Sequence, residues 1–199
     1  MSTPTYTVIG AITTRAARPV WMLEELGLPY EHVGAKPHEE PVTRHYPSGK
    51  VPVLLVGDEA ITDSTAIIQY LADKHGKFTH PAGTLERARQ DGLTHCILDE
   101  FDAVLWTAAR HSFILPEDKR VPEVKESLRW EFTRNQASFV KRMGQSPYLA
   151  GDELTVPDIL LAHCMIWARA AKFDITEPVL ADYMARIRQR PGFQRTFKR

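Results

Sequence analysis

The pattern of apolar and turn-forming residues changes near residue 76, and this change limits what the chain can fold into. Before that point, strand and helix signals alternate. Residues 5–12 form a β-branched run, the next segment has helical spacing and stops at Gly27 and Pro29, and residues 30–33 form a second short strand. A strand–helix–strand unit of this kind predicts two parallel strands.

A hairpin and a helix are predicted to complete the first region. Residues 51–56 and 59–61 have strand composition and are joined by Gly57-Asp58, a dipeptide that suits a two-residue turn. A helix is then predicted over residues 64–75. The predicted order of elements is therefore β-α-β, a loop, and β-β-α.

The rest of the chain has helical patterning. Thr155 and Asp158 form a variant capping box at the start of a strongly apolar helix. Residues 77–84 carry glycine, proline and polar side chains, which indicates a linker. We therefore predict an α/β domain over residues 1–76 and an all-helical domain over residues 85–199.

The charge balance argues against two classes of partner. The chain has 25 lysine and arginine residues and 25 aspartate and glutamate residues, whereas binding to nucleic acid or to an anionic membrane needs a basic excess. The longest apolar run, residues 159–167, is too short to cross a bilayer, and residues 1–15 do not have the pattern of a targeting segment. We expect neither a nucleic-acid nor a membrane partner.

The two cysteines, Cys96 and Cys164, form no CxxC pair, which favours a reducing cytoplasm over a disulfide scaffold. Each follows a histidine, His95 or His163, so a four-ligand zinc site is an alternative. Neighbouring side chains on a helix point about 100° apart, however, and both members of a pair do not easily face one metal ion. We therefore predict buried thiols and no metal.

Pro52 stands at the entrance of a predicted strand. Proline lacks the amide donor of the ladder, so this residue should lie at a strand start or at a sheet edge. The bond before a proline is also the one that readily takes the cis form. A cis Val51–Pro52 bond would turn the main-chain N–H and C=O of Val51 outward, where they can pair with an extended peptide.

Asp63 and Ser64 stand at the start of the next predicted helix. Free amide groups at a helix start carry positive dipole character and bind carboxylates. Only a hairpin separates this position from Pro52, so the two features should lie close together. Together they predict a receptor for a short peptide with a free carboxylate. The simpler alternative is an ordinary strand entry followed by a helix cap.

These residues resemble a known family. The segments GKVPVL (residues 49–54) and DSTAI (residues 63–67) resemble the glutathione-binding half of soluble glutathione transferases. The segment LEELGLPYE (residues 23–31) is similar to the end of the family's first helix and the start of its second strand, and residues 148–162 are similar to its capping-box helix. The resemblance covers nearly the whole chain. It implies a thioredoxin-like α/β N-terminal domain, an all-α C-terminal domain and a homodimer.

The resemblance also implies roles for individual residues in binding glutathione. The main chain of Val51, followed by a cis Pro52, would hold the cysteinyl part. Asp63 suits the ammonium group of the γ-glutamyl end, while Ser64 and the helix amides would take its carboxylate. Lys50 is a candidate partner of the glycyl carboxylate.

The resemblance implies that catalysis depends on the end of the first strand or the turn after it, where family members carry a tyrosine, serine or cysteine that activates the thiol. Tyr6 lies at the start of that strand and the turn has no cysteine, so neither tyrosine-type nor protein-thiol chemistry is expected. The serine of serine-type members aligns best with Thr14, with Thr13 as the alternative, and Arg15 can add positive field. The other interpretation is that both threonines only cap the first helix.

The predicted function is that of a glutathione transferase, with glutathione as co-substrate and a small apolar electrophile as second substrate. The electrophile is expected to bind between the turn and the helix predicted over residues 86–113, with Trp106, Arg110 and Phe113 as candidate contacts. Two alternatives stay open. One is glutathione-dependent reduction of disulfides or hydroperoxides, and the other is a non-catalytic binding protein with a transferase-like fold.

Overall fold

The computed structural model describes residues 6–198. These residues form two compact units. The first contains the residues up to Pro81 together with those from Arg188 onward, and the second contains Ala82–Ile187.

The first unit is built on one mixed sheet. Its strands, among the described residues, are β1 (Tyr6–Ile9), β2 (Glu31–Val33), β3 (Val53–Val56) and β4 (Glu59–Thr62), arranged in the order β2-β1-β3-β4. β1 and β2 are parallel, whereas β3 is antiparallel to both β1 and β4. The predicted parallel pair and the predicted hairpin are both confirmed, and with them the thioredoxin-like fold class.

In the described residues before Pro81, the helices of the first unit are α1 (Ala17–Leu26), α2 (Glu40–Thr43) and α3 (Ser64–His75). α1 packs against α3. It ends at Gly27, which has φ 68° and donates its amide to the last turn, so that glycine meets the need for a left-handed residue. Residues 17–23 of α1 are all buried, which means that α1 is covered on more than the sheet side.

The additional cover over α1 comes from the end of the chain. α9 (Pro191–Phe197) packs on α1, where the indole of Trp21 makes edge-to-face contacts with Phe193 and Phe197 at centroid distances of 5.3 and 6.1 Å. Arg190 donates to both carboxylate oxygens of Glu25, at 3.0 and 2.8 Å. The sequence analysis placed these residues in the helical domain, whereas residues from Arg188 onward belong to the first unit. The spacing of apolar residues predicts that a helix has an apolar face, but it does not predict which surface that face packs against.

The second unit is helical, as predicted. Its α-helices in the described residues are α4 (Leu85–Ile97), α5 (Ala103–Ala109), α6 (Val124–Val140), α7 (Val156–Ala170) and α8 (Pro178–Ile187). Two π-helical turns, Leu98–Asp102 and Arg110–Ile114, continue α4 into α5 and extend α5, so the long helix predicted over residues 86–113 is present with two local distortions. The ring of Phe101 packs edge-to-face on Phe132 and Phe139 at the centre of this unit.

The capping box at the start of α7 is also confirmed. The fully buried carboxylate of Asp158 accepts hydrogen bonds from the main-chain N–H groups of Leu149 and Thr155, the hydroxyl of Thr155 and the hydroxyl of Tyr183. Burial raises the pKa of Asp158. The four hydrogen bonds act in the opposite direction but do not cancel the effect of burial. Burial and the charge of Asp158 together raise the pKa of Tyr183 well above 10. The cluster joins α7, α8 and the loop before α7.

At the C-terminal end of α3, the hydroxyl of Tyr6 lies 2.9 Å from Nε2 of His75. Burial, together with the charges of Lys74 and Lys77, lowers the pKa of His75 below its ordinary value of 6.5. As the pH falls through 6.5 toward the lower pKa of the folded state, the unfolded chain takes up a proton that the folded chain does not. Acidification in this window therefore favours unfolding.

Replacing His75 with glutamine is expected to reduce this loss of stability on acidification. The measurement is the melting temperature of the wild type and of His75→Gln from about pH 8 to about pH 5. Parallel profiles for the wild type and His75→Gln would contradict the assignment.

Candidate functional site

The Val51–Pro52 bond is cis, as predicted. Val51 is half-buried, Pro52 is buried, and β3 begins one residue later at Val53. Within residues 6–198, the main-chain N–H and C=O of Val51 make no hydrogen bond. Val51 thus presents one amide and one carbonyl just before the strand.

Val51 lies directly against the turn between β1 and α1. A Cβ atom built on Gly10, at the end of β1, would stand 2.8 Å from Cβ of Ala16 and 3.0 Å from Cβ of Val51. Gly10 has φ +141°, a conformation that glycine adopts without strain, and its carbonyl oxygen lies 2.8 Å from Nε2 of His32. The absence of a side chain at Gly10 is what allows this close approach.

Asp63 lies beside Pro52. Val53 of β3 pairs with Thr62 of β4, so the residues just outside this pair, Pro52 and Asp63, adjoin at the end of the ladder. The predicted proximity of the strand start and the helix start is therefore confirmed. Asp63 is exposed and has φ 68°.

The structure corrects one expectation about the amides at the start of α3. We expected them to receive a ligand carboxylate, but Oδ1 of Asp63 accepts the N–H groups of Thr65 and Ala66 at 2.8 and 3.1 Å. An aspartate at the N-cap position satisfies such amides itself. The main-chain N–H of Ser64 makes no hydrogen bond to another described residue. That amide has no acceptor among the described residues.

Ser64 has a partner that the sequence analysis missed. Its Oγ accepts a hydrogen bond of 3.0 Å from Nη1 of Arg18, and the two residues are only 2% and 1% exposed. Arg18 belongs to α1 and lies between apolar neighbours that are also buried. The sequence indicates that Arg18 has a buried partner, because a charged side chain inside an otherwise apolar helical stretch needs one.

The threonines of the β1–α1 turn differ in their surroundings. Thr13 is exposed. Thr14 is half-buried, and its hydroxyl donates to the carbonyl of Ala11 at 2.6 Å and accepts the N–H of Ala16 at 3.2 Å. Thr14 therefore supports the turn locally and is not the N-cap of α1, which is Ala16 and has no side-chain cap. The catalytic role of Thr14 stays a prediction. Arg15 is half-buried in the same turn.

Lys50 and Tyr6, which the sequence analysis also considered, lie at different ends of the first unit's site region. Lys50 is exposed just before Val51. Tyr6, which the sequence analysis set aside as a catalytic residue, contacts His75 at the end of α3 opposite to Ser64. A helix of this length separates its two ends by roughly 18 Å, so the Tyr6 hydroxyl is remote from Ser64.

The candidate contacts of the electrophile all lie on the helical stretch that contains α5. Trp106 is half-buried, Nη2 of Arg110 donates to Oγ1 of Thr107 at 3.2 Å, and Phe113 is 65% exposed. Their role as contacts stays a prediction.

Both cysteines are free and buried, as predicted, and burial raises the pKa of Cys96. Between residues 6 and 198, no group of three or more His, Cys, Asp or Glu side chains is placed to hold a metal ion. None of the helices in the described part of the chain combines the length and the hydropathy that a membrane span requires.

A thioredoxin-like unit with free main-chain groups before a strand and a capped helix start beside them, followed by a helical unit, is the arrangement that the resemblance to soluble glutathione transferases implies. Comparison with known proteins agrees. The family described as "Glutathione S-transferase, N-terminal domain" matches residues 14–81, and "Glutathione S-transferase, C-terminal domain" matches residues 101–191.

Individual relatives support the same assignment. A glutathione S-transferase of Pseudomonas putida is 30% identical over 168 residues, which cover 81% of this chain and 74% of that protein. The human glutathione S-transferase theta-2B is 28% identical over 70% of this chain, which spans 60% of that protein's length. A theta class glutathione S-transferase of Xanthomonas axonopodis pv. citri, solved with glutathione bound, has a TM-score of 0.79 at 25% identity, covering 98% of this chain and 97% of that one. This chain belongs to the glutathione S-transferase family.

Proposed function

We propose that this transferase activates the thiol of bound glutathione for conjugation to a small apolar electrophile, and that it works as a cytoplasmic homodimer. The observation that carries the proposal is that Pro52, which follows the free main-chain groups of Val51, adjoins Asp63 at the end of the β3–β4 ladder. This arrangement offers main-chain groups, a carboxylate and a helix start to one extended peptide.

The geometry supports a division of roles along the tripeptide. The N–H and C=O of Val51, before Pro52, pair with the cysteinyl residue. Asp63 uses Oδ1 for its helix cap, and its second carboxylate oxygen can receive the ammonium group of the γ-glutamyl residue. The amide and hydroxyl of Ser64 donate to the γ-glutamyl carboxylate. Lys50, which is exposed, pairs with the glycyl carboxylate.

The chemistry requires a thiolate. A free thiol has a pKa of about 8.5 and is mostly protonated at neutral pH. A donor aimed at the sulfur stabilises the anion, and about 1.4 kcal/mol lowers the pKa by one unit. Thr14 is the proposed donor, with Thr13 as the alternative and Arg15 as a source of positive field. The hydroxyl of Thr14 donates to Ala11 in this structure, so it must rotate toward the sulfur when glutathione binds.

The thiolate sulfur then attacks the electrophilic carbon, the leaving group departs with its electron pair, and the thiol proton passes to solvent. Trp106, Arg110 and Phe113 are the proposed contacts of the electrophile. Two assays test the function itself. Retention on immobilised glutathione tests binding, and turnover of a chromogenic aryl halide tests conjugation. Binding without turnover of halide, hydroperoxide or disulfide substrates would instead favour a non-catalytic protein.

Replacing Thr14 with alanine is expected to raise the pKa of bound glutathione by about one unit, because the variant loses a hydrogen-bond donor worth about 1.4 kcal/mol to the thiolate. The measurement is the ultraviolet absorbance of the bound thiolate as a function of pH. Thr13→Ala, at the exposed neighbour, is the matched control. A shift only in Thr13→Ala would move the role to Thr13, and no shift in either variant would move it to Arg15 or a main-chain amide.

A further inference from the structure

The buried contact between Arg18 and Ser64 links two helices at the start of α3. Arg18 is 1% exposed on α1, and its Nη1 lies 3.0 Å from Oγ of Ser64. Placing a guanidinium in the interior has a large desolvation cost, which is tolerated when its donors are used. An aliphatic side chain would fill a helix–helix contact without that cost. The charge therefore needs an explanation beyond the packing of α1 on α3.

The contact determines what the Ser64 hydroxyl can do. A guanidinium only donates, whereas a serine hydroxyl has one proton to donate and lone pairs to accept. Ser64 Oγ is therefore the acceptor toward Arg18, and its own proton must point elsewhere. No residue in the described part of the chain accepts that proton. A hydroxyl that accepts from a cation is also polarised, which makes it a stronger donor.

We propose that Arg18 is a positioning residue for the γ-glutamyl carboxylate of glutathione, acting through Ser64. The bond from Arg18 keeps the Ser64 hydroxyl in the donor orientation, and the buried charge behind it favours an anion at the start of α3. Asp63 already occupies the amides of Thr65 and Ala66, so the site depends more on this cation than a free helix start would. The proposal rests on the proposed binding of glutathione.

The test uses two ligands that differ only in the relevant group. One is glutathione, and the other is its analogue with 4-aminobutyrate in place of the γ-glutamyl residue, which lacks the α-carboxylate. Arg18→Met, which fills a similar space without charge, should bind glutathione about tenfold more weakly, as expected for one hydrogen bond that involves a charged group. Its affinity for the analogue should stay within about twofold of wild type, a change too small for a lost charged hydrogen bond.

An equal loss for both ligands would show that Arg18 only supports the fold, and no loss for either would show that it has no role in binding. Both results overturn the proposal. Ser64→Ala should lose the same preference for the carboxylate, and adding Arg18→Met to it should cause little further loss, since the two residues act in series. Independent, additive losses would also overturn it.

Two further results separate this proposal from the one on which it rests. A wild-type protein that binds neither ligand would refute the glutathione site itself, and with it the role of Arg18.

If Arg18→Met does not fold, Arg18→Lys is the variant that tests the proposal. Lysine keeps the positive charge but lacks the reach and the planar geometry of the guanidinium. We expect weaker binding of glutathione and unchanged binding of the analogue. A loss for both ligands, or for neither, overturns the proposal.

Discussion

Replacing Asp158 with alanine is expected to lower the free energy of unfolding by about 4 kcal/mol. The carboxylate is fully buried, and it receives four hydrogen bonds from residues between 149 and 183. Its removal leaves these donors, three of which are buried, without their acceptor, because the alanine side chain has no oxygen. Urea unfolding measures the loss.

Tyr183→Phe is the matched control for this prediction. It removes the hydroxyl that donates to Asp158 at 2.6 Å and leaves the carboxylate with its other three donors. The expected loss is about 1–2 kcal/mol, as for one hydrogen bond to a charged group. A loss for Asp158→Ala no greater than that for Tyr183→Phe would contradict the importance of the whole cluster.

Replacing Gly10 with alanine is expected to weaken glutathione binding more than tenfold and to lower the free energy of unfolding by about 3 kcal/mol. The new methyl group would meet Cβ of Ala16 at 2.8 Å and Cβ of Val51 at 3.0 Å. Neither atom can move without its main chain, so Val51 must shift away from the turn. Calorimetric titration with glutathione and urea unfolding give the two quantities.

Gly151→Ala provides a control at a glycine with nearly the same φ. Gly151 has φ +133°, and no described atom lies within 4 Å of a Cβ built there, apart from its chain neighbours. It should show the conformational cost of alanine, on the order of 1–2 kcal/mol, without any loss of glutathione affinity. Equal glutathione affinities for Gly10→Ala and the wild type would contradict the placement of Val51 in the site.

The parts of this structure that sequence predicts well are those set by neighbouring residues. The hairpin at Gly57-Asp58 follows from turn chemistry, and the start of α7 follows from the spacing of Thr155 and Asp158. The parallel pairing of β1 with β2 follows from the handedness and length of the crossover. Each inference depends on a few residues that are close in the chain, so no tertiary information was needed.

The parts that sequence did not predict depend on contacts between distant segments. The bond from Arg18 to Ser64 joins positions 46 apart, and that from Arg190 to Glu25 joins positions 165 apart. The sequence of a helix shows that a charged side chain among apolar residues needs a hydrogen-bond partner. It does not show which distant residue is that partner. Asp63 is a different case, since the hydrogen bonds it makes to its own helix were foreseeable from N-cap preferences.

The position of α9 has a consequence for how the protein is made. A ribosome releases the β1–β4 sheet and α1 long before it synthesises the residues from Arg188 onward, and until then Trp21 has no Phe193 or Phe197 to cover it. In the nascent chain, the side chain of Trp21 therefore lacks these packing partners while the whole helical unit is synthesised. A fragment that stops at Pro81 should likewise be prone to aggregate, and supplying the final segment as a separate peptide should restore its solubility.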